Sequence, residues 1–183
     1  MVARRSSAQP VGHYWTDEGT QFVPSGCVVL DCVLGGGWPL GRIANIVGDK
    51  AVGKTLLAIE ACANFARLHP DGHIWYREVE AAFDVTYAER MGLPVGRVDF
   101  GPDGVDTSWE TVEDIFEDLE ACLVRAEKDG LPGLYVVDSL DALSSRSELK
   151  RAIDKGSYGT DKASVMSELF RRLKKRIKKT RTC

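Results

Sequence analysis

The sequence predicts an α/β fold, a mostly parallel sheet with helices packed on both faces, and three observations point to it. Apolar patterns of period two alternate with patterns of period 3.6 along residues 42–179. A short continuous apolar run at 134–137 ends on Asp138, as a strand buried on both faces does. Between a β-rich run at 42–47 and a helical pattern at 54–68 lie Gly48, Asp49, Lys50, Ala51, Val52, Gly53, Lys54 and Thr55, with the glycine and lysine spacing of a phosphate-cradling loop.

Taken in order, the first 21 residues are polar, broken by Pro10, Gly12 and Gly19, and without period; they read as a leader or arm, and the packed domain as 22–183. Residues 27–34 are apolar until Gly35, Gly36, Gly37, Trp38, Pro39, Leu40 and Gly41 break the pattern. The run 42–47 then resumes as a strand that ends on the phosphate loop. The helix after the loop places Leu57, Ala58, Ala61, Cys62 and Phe65 on one face, and His69, Pro70, Asp71 and Gly72 stop it. Residues 73–80 read as a strand, 85–91 as a short helix closed by Gly92, and 97–100 as a weaker strand. Thr107 and Glu110 have the spacing of a capping box for a helix that aligns Val112, Phe116, Leu119 and Leu123, with an acidic outer face and Gly130 past its end. After the strand at 134–138, a last helix at about 162–179 aligns Met166, Leu169, Phe170, Leu173 and Ile177.

A chain of 183 residues, 44% of them hydrophobic, fits one domain with a sizeable core. No apolar run approaches membrane-spanning length and no apolar leader opens the chain, so a cytoplasmic protein is expected. The five cysteines include no Cys-x-x-Cys pair; they read as reduced, mostly buried thiols. Residues 171–183 carry eight Lys/Arg and no acid, against 16 basic and 27 acidic residues before them, a tail at +8 on a body at −11. Such a tail meets phosphates, docks on its own acidic body or is a solvated helix face; charge alone favours the last.

The chemistry concentrates at three places. In the loop, two glycines let successive N–H groups turn inward, and the following helix adds its positive end. Lys54 would contact the β- and γ-phosphates of ATP, and the Thr55 hydroxyl would bind the Mg²⁺ that bridges them. Asp138, at the end of an apolar strand, would hold Mg²⁺ through water; its alternative is a strand-end cap. Glu80, at the end of the strand after the loop helix, would polarise the attacking water, with Glu78 its rival on the same face and a solvated strand end the third reading; spacing does not choose among them.

These residues, together with Pro24, Ser25, Gly26, Leu30, Asp31, the glycines 35–37, Leu40, Gly41, Arg42, Ser139 and Leu140, resemble the ATPase core of the RecA-type recombinases, particularly their bacteriophage branch. The resemblance covers residues 22 to about 179 and implies a RecA-like P-loop NTPase. It matches Glu80 with the family's water-activating base, and Asp84 and Tyr87 with its adenine contacts. It places Lys155, Gly156, Ser157, Tyr158 and Gly159 in a first DNA-binding loop, and Ser167 and Arg171 where the DNA backbone is held. The implied function is ATP-dependent binding of single-stranded DNA in homologous recombination and repair, with a grip that weakens as salt rises.

The departures are also specific. The sequence stops where the family's next core strand begins, before the γ-phosphate-sensing glutamine and the second DNA-binding loop, which reads as truncation in preference to an interrupted gene. A homo-oligomer or filament is the family's habit, and a short leader and incomplete core argue against a filament here. Two other functions remain: an ATP-binding accessory module without turnover, and a P-loop phosphotransferase, which lacks the Arg-rich lid it would need.

Overall fold

The computed structural model describes residues 19–80, 82–150 and 160–183. β1 (Phe22–Val23), helix α1 (Val28–Leu34) and β2 (Trp38–Pro39) form the lead-in, with β1 and β2 paired antiparallel. Gly37 joins them at φ 113, and a Cβ there would meet the Val23 carbonyl oxygen at 2.3 Å, so only glycine permits the ribbon. The Ser25 N–H donates to Asp31 Oδ1 (2.8 Å) within the lead-in, and Asn64 Nδ2 donates to the Pro24 carbonyl (2.9 Å), fastening the lead-in to the next helix.

That helix, α2 (Lys54–Leu68), leads into β3 (His73–Glu78), α3 (Val85–Arg90), β4 (Val98–Asp99), α4 (Val112–Asp129), β5 (Gly133–Asp138), the short α5 (Arg146–Leu149) and α6 (Thr160–Thr180). The sheet is parallel with order β4-β3-β5, and its β3–β5 ladder runs from His73 opposite Gly133 to Glu78 opposite Asp138. The predicted α/β class is the observed one.

Strand alternation sorts the core into two layers. Ile74, Tyr76 and Leu134 pack with Ile59, Cys62, Phe65 and Ala66 of α2, while Trp75 meets Cys122 and Ala126 of α4. Phe116, Leu119 and Leu123 of α4 enclose Leu173 and Ile177 of α6, with Leu169 and Phe170 beside them. Each fully buried side chain of this size contributes about 1.5–3 kcal/mol. Gly133 sets the start of β5 under the Trp75 ring, where a Cβ would come within 2.4 Å of Cζ3.

The polar side chain in this layer is Arg77, which is 1% exposed. Its Nε donates to Asp118 Oδ2 (2.6 Å) and an NH group to the Asp99 carbonyl (2.6 Å), and it stacks on Trp109 and Tyr135. Burial, the largest single influence, opposes its charge, but the hydrogen bond to Asp118 together with the neighbouring Tyr135, Asp118 and Cys122 outweighs it and raises its pKa. Arg77→Ala leaves Asp118 with the Tyr135 hydroxyl (2.7 Å) as a partner but without its counter-ion, and is expected to cost about 3 kcal/mol. Urea denaturation checks this; an unmoved midpoint would contradict it.

Several expectations are corrected. Residues 42–47 form no strand. Their expected partner edge lies across a cavity: the Gly41 N–H still donates to the Thr182 carbonyl (3.1 Å), and beyond it the segment and β5 run apart. A β-rich sequence without a neighbouring edge makes no ladder. The capping threonine is Thr111, whose Oγ1 accepts the Asp114 N–H (3.2 Å). Thr107 instead closes the turn before it, accepting the Asp103 N–H and donating to the Gly104 carbonyl. β3 stops at Glu78 and β4 keeps only Val98 and Asp99. Of the cysteines, Cys62 and Cys122 are buried and Cys183 half-buried, but Cys27 and Cys32 are exposed, because α1 has no buried residue.

The basic last helix also docks, in part, on the acidic face of α4. Arg172 and Arg176 reach Glu120 (3.7 and 3.2 Å), and Arg176 and Lys179 reach Glu127 (both 3.5 Å). Lys174 and Lys175 stay exposed, as a solvated face.

Candidate functional site

The loop before α2 is built by two left-handed residues, Ala51 at φ 62 and Gly53 at φ 96. Gly53 is the N-cap of α2 and offers no side-chain acceptor, so the first-turn N–H groups keep their capacity for an anion. A left-handed alanine costs about 1–2 kcal/mol, a strain of the kind found at ligand clamps. Lys54 closes the loop on itself, its Nζ donating to the carbonyls of Gly48 (3.0 Å) and Asp49 (2.8 Å). Both hydrogen bonds of the ammonium lie at the exposed rim of the loop.

The second part of the site is the end of the β3–β5 ladder. Asp138 accepts the Tyr76 hydroxyl through Oδ2 (2.8 Å). Burial, then the neighbouring Asp138, pushes the Tyr76 phenol far above its ordinary pKa, so it remains a donor at neutral pH. Tyr76→Phe removes this charged hydrogen bond and should cost about 1.5 kcal/mol in a denaturation midpoint. Unchanged stability would show the bond to be idle. Past the strands, the Ser139 hydroxyl donates to Glu80 Oε1 and the Glu80 N–H to Glu78 Oε1 (2.7 Å). Glu78 is 6% exposed, and its Oε2 is buried with no partner among the described residues; Glu80 is exposed.

The two parts flank one cavity of about 410 Å³, with Gly48 and Lys54 on its loop side and Asp138 and Ser139 on its strand side. Asp138 keeps one carboxylate oxygen beyond the Tyr76 bond and lines the cavity, whereas the half-buried Thr55 at the start of α2 is not among its lining residues. Among the described residues no cluster of three His, Cys, Asp or Glu side chains forms a dedicated metal cage.

The RecA N-terminal domain family matches residues 6–183. The chain belongs to this family. Protein RecA of Petrotoga mobilis is 35% identical over 162 residues, 87% of this chain and 40% of that protein. Protein RecA of Porphyromonas gingivalis is 32% identical over 168 residues, 91% of this chain and 46% of the relative. Protein RecA 1 of Myxococcus xanthus is 31% identical over 180 residues, 98% and 49%. The chain thus spans less than half the length of these relatives.

Within this RecA N-terminal domain, Asp84 and Tyr87 sit together at the start of α3. The Asp84 carboxylate caps that helix by accepting the Tyr87 N–H (2.9 Å), and the Tyr87 side chain is 44% exposed. Phe83 packs edge-on against Tyr76 and Phe100 (centroids 4.9 and 5.0 Å), which ties this segment to β3. Ser167 and Arg171 are exposed on α6, with Arg171 Nε donating to the Ser167 carbonyl (3.2 Å). Lys155, Gly156, Ser157, Tyr158 and Gly159 lie outside the described residues. Among the described residues no helix is long and apolar enough to cross a membrane.

The sequence reading missed Tyr76 and the backbone role of Glu78. Tyr76 is two residues before Glu78 on the same strand face, a signal that becomes useful only with the knowledge that β3 pairs β5 in this register.

Proposed function

We propose that this chain is the ATP-binding core of a RecA-type recombinase, a cytoplasmic ATPase that uses ATP with Mg²⁺ to control its hold on single-stranded DNA in recombination and repair. The observation that supports this best is the single cavity rim that carries Gly48 and Lys54 on one side and Asp138 and Ser139 on the other, with Ser139 bonded to Glu80. In this reading the loop N–H groups and Lys54 bind the polyphosphate, Thr55 and Asp138 hold the cation, and Glu80 takes the proton of the attacking water. The cation supplies charge neutralisation at the transferred phosphoryl group. Asp84 and Tyr87 hold the adenine, while Lys155, Gly156, Ser157, Tyr158, Gly159, Ser167 and Arg171 contact the DNA backbone. The same reading leaves room for a homo-oligomer on DNA.

A second reading, nucleotide binding without turnover, is favoured by one observation: residues 42–47 lead into the phosphate loop but form no ladder with β5, so its placement relative to Asp138 rests on the packing of α2 and not on backbone pairing. ATP titration and phosphate release, each with and without single-stranded DNA, separate the two. DNA-stimulated release supports the recombinase core, binding without release supports the module, and absence of ATP binding refutes both.

A further inference from the structure

β3 and β5 end side by side in two carboxylates. Their register sets Glu78 opposite Asp138, on one face of the sheet, and alternation puts Tyr76 on that face two residues earlier. Each carboxylate has a donor of its own on one oxygen: the Glu80 N–H on Glu78 Oε1 (2.7 Å), and the Tyr76 hydroxyl on Asp138 Oδ2 (2.8 Å). The second oxygens differ. Glu78 Oε2 is buried with no partner among the described residues, whereas Asp138 Oδ1 belongs to a half-buried side chain that shares a cavity lining with Gly48 and Lys54.

The donor on Asp138 is rigid. Tyr76 is fully buried, its ring meets Phe83 edge-on at 4.9 Å and lies 6.0 Å from Phe100, and it belongs to the core layer that holds Cys62 and Phe65 of α2. A ring packed on every side keeps one rotamer, so its hydroxyl has one place to be. Asp138 is held only through its backbone, where the Val79 N–H donates to its carbonyl (2.9 Å). Two side-chain torsions still separate that backbone from the carboxylate. Tying Oδ2 to a fixed phenol removes that freedom, and with it the choice of direction for Oδ1.

We propose that Tyr76 is a positioning residue for the cation: it engages one oxygen of Asp138 so that the other is presented to the hydrated cation in a single direction. This rests on the reading of Asp138 as a residue that holds Mg²⁺. A carboxylate near a metal binds better when a further hydrogen bond fixes its orientation. The competing account is that a buried phenol needs an acceptor and Asp138 supplies it, with no consequence for the site. Tyr76→Phe separates the two, because it keeps the packed ring and removes only the hydroxyl.

The test is calorimetric titration of the full chain with ATP, in Mg²⁺ and in EDTA, reading the gain in affinity that Mg²⁺ brings. Tyr76→Phe is expected to cut that gain about tenfold while the affinity in EDTA stays within about twofold. Asp138→Asn should cut it at least as far, and the double variant no further, because Tyr76 acts through that carboxylate. The positioning role is overturned by a full gain in Tyr76→Phe beside a reduced one in Asp138→Asn. It is equally overturned by additive losses in the double variant, or by Tyr76→Phe losing as much affinity in EDTA as in Mg²⁺, which is damage to the fold. A full gain in Asp138→Asn would instead take the cation away from Asp138, and this role of Tyr76 with it.

Discussion

Glu80→Gln is expected to leave ATP affinity within about twofold while reducing phosphate release by about 10²–10⁴-fold, the usual contribution of a general base. Glu80 is exposed and its carboxylate accepts the Ser139 hydroxyl, so a glutamine keeps the shape and that hydrogen bond but cannot take a proton. Glu78→Gln is the informative companion. Its amide oxygen still accepts the Glu80 N–H, so if Glu78 only holds the backbone, turnover survives. Retained turnover in the Glu80 variant together with loss in the Glu78 variant would move the base to the buried carboxylate.

Lys54→Ala is expected to weaken ATP binding by about 30–150-fold, the equivalent of the 2–3 kcal/mol carried by a charged hydrogen bond to phosphate. The loss has two origins, since the ammonium both faces the ligand and draws together the Gly48 and Asp49 carbonyls that shape the loop. The side chain is half-buried, outside the buried core, and opens a 15-residue helix, so the fold should survive. Titration calorimetry measures the affinity and circular dichroism the fold; unchanged affinity in a folded variant would remove the loop from the nucleotide site.

Local signals carried much of this into the sequence. Helix 54–68 was legible to the residue because Gly53 starts it and His69 with Pro70 stops it, and Asp138 was legible because an apolar run can end in only a few ways. What stayed hidden depended on partners. Residues 42–47 have strand composition, but a strand exists only against an edge, and the sequence does not say where that edge lies. Thr107 and Thr111 both precede the same helix with an acid three residues on, and the turn at Gly104–Asp106 decides between them. Glu78 and Glu80 alternate onto one face only while the strand lasts. It ends at Glu78, which leaves one carboxylate buried and the other in water.

Gly133, fitted beneath Trp75, gives β5 the character of a rigid lever. Five residues of strand, about 16 Å, separate it from Asp138. A methyl group at its near end would push against a buried ring and shift the far end, where the carboxylate sits. Gly133→Ala would then be a catalytic lesion in a protein whose site residues are all unchanged, and its origin would be found at the opposite end of the sheet.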